Sequence, residues 1–242
     1  MIGGMTTAPS SPCYKSDRFP AEIISHVVWL YYRFSLSSRD IEELMAARGI
    51  VVTYETIRQS CQKFGQPYAN QLPRRHAQTG DKWHRDELFL NINAKLYYLW
   101  RAVDHHGNLL DILLQSRRNK PAAKKFFRKL LKGCHYVPRV LITDKLASYA
   151  AAKKDLLPSV EHREHKRLNN RAETCHQPSR QRERMMRRFK SAGHAQGFLA
   201  ADGRIREHFC ACRHRLAAKQ YRAVLEERFA LWHTITGVQM AT

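Results

Sequence analysis

The stretch "WHRDELFLNINAKLYYLWRAVDHHGNLLDILLQS", residues 83–116, decides the fold, because its hydrophobic period is two. "ELFLNIN" sets Leu88, Leu90 and Ile92 on alternate positions, and "KLYYLWRAVD" follows as a second strand. The turn "DHHGN" then leads to a third, "LLDILLQS". Alternation at this period belongs to strands, and short polar connections between consecutive strands make an antiparallel meander.

Downstream the period lengthens. "RRNKPAAKKFFRKLLKG" reads as a helix with Pro121 near its start and Gly133 after its end, burying Ala122, Ala123, Phe126 and Leu130. "RVLITD" is a short apolar strand that ends on Asp144, as expected of a strand covered on both sides. "KLASYAAAKKDLL" is a helix and "SVEHR" a brief strand. Three strands, a helix, a strand, a helix and a strand predict a mixed α/β sheet flanked by helices. Neither internal repeats nor a low-complexity tract interrupt it.

Upstream, Phe19 to Gly65 reads as three short helices. Ile23, Ile24, Val27, Val28, Leu30 and Tyr31 give the first a broad apolar face. Ser37 and Asp40 form a capping box for the second, which carries Ile41, Leu44 and Met45 and stops at Gly49. Thr53 caps the third, with Ile57 and Phe64 inward. Tyr54, Glu55, Arg58, Gln59 and Gln62 are left for base edges or phosphates. Two short helices joined by a Gly turn are a helix-turn-helix pattern. An ordinary helical hairpin has the same spacing, and it is the charge that favours DNA, with Arg58 and Gln59 as candidate contacts.

That charge is large. The 242 residues hold 42 Lys and Arg against 21 acids, a formal net charge of +21 and a pI near 10.1. With 43% apolar residues the chain can bury a core, so the excess marks a polyanionic partner, of which nucleic acid is the commonest. A basic membrane-surface protein would carry an amphipathic anchor or a lipidation signal, and neither is evident. No apolar run reaches the roughly 18 residues of a membrane span. "MIGGMTTAPSSPCYKSDR" lacks the charged and apolar regions of a secretion signal and reads as a loose tail. Six scattered cysteines do not form a disulfide framework and suit a reducing cytoplasm, the expected location.

Three carboxylates stand at telling places. Asp86 heads the first strand, and Asp144 ends the buried one, at a sheet rim where active sites form. Glu173 opens "LNNRAETCHQPSRQRERMMRRFKS", residues 168–191, an otherwise basic segment. An acid there repels phosphate unless a cation lies between them. Three acids from separate elements would hold one or two Mg²⁺ ions, which prefer oxygen ligands, and such a site drives phosphodiester displacement. Taken singly, each acid has a commoner structural reading: a strand-end acid, a helix cap, a solvated helix acid.

Other residues invite chemistry less. Asp104 reads as a turn residue and Asp111 as a strand residue. Lys145 has phosphate contact and solvation as equal readings. His208, Cys210, Cys212 and His214 in "HFCACRH" resemble a zinc site, but the Cys spacing is too tight and no second pair follows, so no zinc is expected. Trp232, near Phe229 and Leu231, marks a helix that packs on the core or on a second subunit.

Taken together, "WHRDELFLNINAKLYYLWRAVDHHGNLLDILLQSRRNKPAAKKFFRKLLKG", "PRVLITDKLASY" and "VEHREHKRLNNRAETCHQPSRQRERMMRRFKS" resemble the insertion-sequence-six family of bacterial transposases. "RAVD", "SRRNK", "TDK" and "LNNRAE" in this order are jointly specific. The resemblance implies an RNase H-like core after a small all-α helix-turn-helix domain, and an Asp-Asp-Glu triad of Asp86, Asp144 and Glu173 as catalytic residues and metal ligands. Arg180 falls on the family's basic position seven residues past the Glu, and Arg182, Arg184, Arg187 and Arg188 would hold flanking DNA. Met185 and Phe189 would form their apolar underside. The sequence departs from the family pattern at Ala94, where a turn Gly is common.

The organisation this implies is a flexible tail over 1–18, a helix-turn-helix domain over 19–66 and a linker over 67–80. A catalytic domain over 81–192 and a C-terminal helical segment over 193–242 follow. The implied activity is DNA transposition: binding of terminal inverted repeats, strand cleavage with Mg²⁺ (Mn²⁺ being able to substitute), strand transfer into double-stranded target DNA, and replicative cointegrates. Synapsis of two ends implies a homodimer or higher oligomer, with no membrane partner. A catalytically inactive transposase-derived DNA-binding protein and a general RNase H-like nuclease are the alternatives.

Overall fold

The computed structural model describes residues 14–72, 82–105, 108–134, 136–143, 147–164, 189–210 and 216–238. The chain divides into two compact units. One joins Met1–Pro73 to Arg204–Thr242, and the other is Arg74–Gly203.

In the second unit, β1 (Lys82–Ile92), β2 (Lys95–Val103) and β3 (Leu109–Gln115) form the antiparallel meander. A crossover through α4 (Lys120–Cys134) brings β4 (Val140–Thr143) parallel to β1, and α5 (Ala147–Leu156) leads to β5 (Glu161–Glu164), parallel to β4. The strand order is β3-β2-β1-β4-β5, a mixed sheet with an antiparallel meander and two parallel pairs. Trp83, Trp100, Ala102 and Leu141 pack against Ala122, Ala123, Phe126, Phe127 and Leu130 of α4 and against Ala152 of α5. The expected face of α4 is therefore the buried one. Gly133 lies inside the helix, whose last turn runs on to Cys134.

β1 begins earlier than its own alternation suggests. It starts at Lys82, because Lys82, Trp83 and His84 pair with Val140, Leu141 and Ile142. Asp86 is therefore a mid-strand residue rather than the head of the strand. Its neighbour Glu87 is almost fully buried and accepts from Arg118 Nε at 2.5 Å, which ties β1 to the segment before α4. The β1–β2 turn puts Asn93 and Ala94 at φ 52° and 59°. Two consecutive left-handed residues suit Asn-Gly, so the alanine is strained where its Cβ crowds the backbone. Asn93 Nδ2 also donates to Lys190 O at 3.0 Å.

The first unit is helical. α1 (Ala21–Arg33), α2 (Ser38–Ala46) and α3 (Tyr54–Gln71) bury Ile24, Val27, Val28, Ile41, Met45, Ile57 and Phe64. Both arms of the Ser37–Asp40 capping box are present, and Thr53 Oγ1 accepts from Thr56 N–H. Gly49, at φ 74°, closes α2: its N–H donates to Ala46 O, and that of Ile50 to Met45 O.

The linker expected over 67–80 is helix in its first residues. α3 continues through Pro67 to Gln71, and residues 73–81 lie outside the description. A mid-helix proline removes one hydrogen bond, but continuing the helix buries Tyr68, Ala69 and Leu72. The tail expected over 1–18 is tied down from Tyr14, whose ring meets Phe64 at 5.0 Å. Tyr14 Oη donates to Thr236 O at 2.5 Å, so Tyr68 Oη, 2.6 Å away, must be the donor in their shared bond. Burial raises the pKa of both phenols.

The C-terminal helices close this unit. In α6 (Ala192–Phe209) Arg204 Nη1 donates to Ala69 O at 3.0 Å. In α7 (Ala218–Thr236) Trp232 packs edge-on against Tyr68 and Phe209, and Phe229 against Trp29. Trp232 is thus a packing residue, as expected. Gly237, at φ 66°, ends α7.

Two stability measurements check these local arguments. Ala94→Gly should raise the stability of the chain by about 1 kcal/mol in chemical denaturation, by relieving the left-handed strain. Arg118→Met, which leaves the Glu87 carboxylate without this cation, should cost about 1–3 kcal/mol. Adding Glu87→Gln to that variant should recover part of the loss.

Candidate active site and nucleic-acid interface

Charged side chains are rarely buried without a reason. In β1 and β2, however, Arg85 is 0% exposed, Glu87 8% and Arg101 9%. Arg101 is the cross-strand partner of Asp86. The Arg85 guanidinium lies over the rings of Trp100, Phe126 and Phe127, at 5.4, 4.4 and 4.2 Å from their centroids. Cation–π attraction offsets part of the cost of burying it.

Asp86 lies in β1 by its backbone, and its side chain is outside the description. Asp144 directly follows the last residue of β4 and, like Glu173, lies outside the described residues. The last described rung between the two strands is His84↔Ile142, so each aspartate is two residues beyond it in its own chain. Thr143, fully buried, bonds through Oγ1 to His162 Nε2 of β5 at 2.8 Å, which fixes the end of β4. Arg180, Arg182, Arg184, Arg187 and Arg188 lie outside the described residues, as do Lys145 and Met185. Phe189 is buried and packs on Phe198 at 5.9 Å.

Arg85, Glu87 with Arg118, and Arg101 were not singled out in the sequence. A signal did exist, since "RDE" and "LWRAV" set charges inside otherwise apolar strands. Period-two reading assigns such charges to solvent by default.

Asp104 is a turn residue: its carboxylate accepts from Asn108 N at 2.8 Å and Asn108 Nδ2 at 2.7 Å. Asp111 is in β3 and pairs with Lys129. Asp155, on α5, is held down to a pKa of about 2 by hydrogen bonds from Lys124 and then Lys120. His208 Nε2 donates to Arg228 O at 3.0 Å, and Cys210 is an exposed thiol. Cys212 and His214 lie outside the described residues. No helix among the described residues is long and apolar enough to cross a membrane.

On α3, Tyr54 and Gln59 are exposed and Arg58 is partly exposed. Arg58 donates from Nε to Glu55 Oε2 at 2.8 Å and from Nη2 to Oε1 at 2.5 Å, and Gln59 Nε2 donates to the same Oε1 at 3.1 Å. That carboxylate raises the Arg58 pKa. Arg39 stacks over the Tyr54 ring at 5.5 Å, so α2 adds a cation to the same surface.

Residues 80–210 match a family model described as a DDE domain. The transposase of insertion sequence element IS257 in transposon Tn4003 of Staphylococcus aureus is 30% identical over 168 residues, 67% of this chain and 75% of that protein. The transposase of insertion sequence-like element IS431mec from S. aureus strain Mu50 aligns with the same identity and coverage. Among solved structures, the HTLV-2 integrase catalytic core domain in complex with magnesium (trimeric form) has a TM-score of 0.37 at 12% identity, covering 52% of this chain and 85% of that one. The simian T-cell lymphotropic virus intasome in complex with PP2A regulatory subunit B56 gamma has a TM-score of 0.38 at 14% identity, covering 77% and 65%. The family match spans more than half of the sequence and the staphylococcal alignments two thirds of it: the chain belongs to the insertion-sequence-six family of DDE transposases, enzymes of nucleotidyl transfer.

Proposed function

We propose that this transposase binds the terminal inverted repeats of its own insertion sequence through the helical unit, cleaves a strand at each end and joins the freed 3′-hydroxyls to target DNA. Asp86, Asp144 and Glu173 are the catalytic carboxylates. The observation that carries this is the parallel register of β1 and β4, in which each aspartate follows the His84↔Ile142 rung by two residues. Adjacent strands are about 4.8 Å apart. Asp86 and Asp144, one from each chain segment of this pair, would together hold one small divalent cation. The all-oxygen donor set suits Mg²⁺, with Mn²⁺ as a substitute.

A bound Mg²⁺ supplies activation of the attacking hydroxyl and neutralises charge at the scissile phosphate. The chain's own groups do the rest. The three carboxylates would hold the cation, and the buried groups of β1 fix the strand that carries Asp86. Arg180, Arg182, Arg184, Arg187 and Arg188 grip flanking phosphates, which positions the ester for in-line attack. Arg58 and Gln59 select the end. Two ends brought together require two active sites, hence at least a homodimer, and replicative joining leaves cointegrates.

The test is removal of charge at constant size. Asp86→Asn, Asp144→Asn and Glu173→Gln should each abolish cleavage and strand transfer in Mg²⁺, and a double variant should be little worse than a single one. DNA binding should survive all three. Asp155→Asn, on the exposed surface of α5, is the control and should retain activity. An active Glu173→Gln enzyme would overturn the triad. A wild-type protein that binds ends without cutting them would point to a DNA-binding derivative.

A further inference from the structure

The first turn of α3 presents an acid on a surface proposed to meet DNA, in a chain of formal net charge +21. A first-turn acid is favoured by the helix dipole, which accounts for its presence but not for what it holds. Glu55 engages two side chains at once, Arg58 three residues on and Gln59 four residues on. Both are among the α3 residues proposed to reach a base edge. The ion pair is 41% and 42% exposed, and exposed pairs of this kind add little to stability. Its consequence is therefore geometric.

Arg58 meets the carboxylate side-on, through Nε and Nη2. A guanidinium has five N–H groups in a rigid plane. Using the Nε–Nη2 edge leaves the Nη1–Nη2 edge, two parallel donors pointing away from the carboxylate. Two parallel donors in one plane match the O6 and N7 acceptors of guanine in the major groove. The carboxylate also sets a local negative charge against phosphate, so Arg58 and Gln59 are discouraged from binding backbone in place of bases.

We infer that Glu55 is a positioning residue for sequence recognition, which locks Arg58 into an end-on fork that reads a guanine. The inference rests on the reading of the helical unit as the DNA reader. It adds the base that is read and the residue that enforces it.

The experiment selects duplexes from a library with a randomised central segment, using the full-length chain, and then measures affinity for the enriched duplex and for the unselected pool. Wild type should enrich a motif with one fixed guanine. Arg58→Lys, which keeps the charge but loses the fork, and Glu55→Gln should both erase the preference at that base and lower the enriched-to-pool affinity ratio roughly tenfold. Glu55→Gln should also bind the pool more tightly, with a salt dependence steeper by about one phosphate contact as Arg58 turns to the backbone. The double variant should be no worse than either single one, because both remove the same fork. Retention of the guanine preference and of the ratio in Glu55→Gln would overturn the inference while leaving the DNA-reading role of α3 intact. If wild type enriches no motif, that role falls and the inference with it.

Discussion

The catalytic unit depends on a pairing three residues long. β4 is four residues, Val140 to Thr143, all buried, and it joins β1 in parallel only over Lys82 to His84. A parallel pair cannot be closed by a tight turn, so a crossover must bring β4 back, and α4 is that crossover. Its aromatic residues Phe126 and Phe127 lie against Trp100 and under Arg85. The same burial that holds the crossover thus grips β1 one residue before Asp86. Glu87, one residue after, is gripped by Arg118. Asp86 therefore sits between two anchored neighbours, and its backbone has little freedom to slip in register relative to β4.

What the sequence made legible follows from the range of the forces involved. The capping box at Ser37, the stop at Gly49 and the cap at Thr53 are contacts within a few residues, and they stand where their spacing puts them. The meander reads from period two, and the buried character of β4 from its unbroken apolar run. Non-local burial was not legible. Nothing near Lys82 announces that β1 extends to meet a strand about sixty residues away, and nothing near Pro67 shows that Tyr68 will be covered by Trp232. In both places a local rule lost to the gain from covering apolar surface.

The candidate site was legible to a different degree. Asp86 and Asp144 could be placed by pattern, the first in β1 and the second just after the last residue of β4, and the register of the two strands is described as far as the His84↔Ile142 rung. Glu173 rests on its motif alone. The buried cations around Asp86 were missed because a charge in a strand is assumed to face water. Arg85 shows why that fails: its flat guanidinium can be enclosed by aromatic faces, where an ammonium would keep its hydration shell.

The helical unit, proposed above as the DNA reader, is built from distant parts of the sequence. The three N-terminal helices share their core with the end of α6 and with α7, through Tyr68 against Trp232, Trp29 against Phe229, and Arg204 against the Ala69 carbonyl. Tyr14 adds a further link, donating to Thr236 while receiving from Tyr68. A fragment ending near Gly65 would expose Trp29, would lack Tyr68, and would cut α3 before the turns that Trp232 covers. The outward face of α3, the one proposed to meet DNA, is held in part by residues far along the sequence, Arg204 and Trp232. If this unit reads element ends as proposed, the reader is a discontinuous unit, closed around α3 by segments from both parts of the sequence, rather than a module carried by the first third of it.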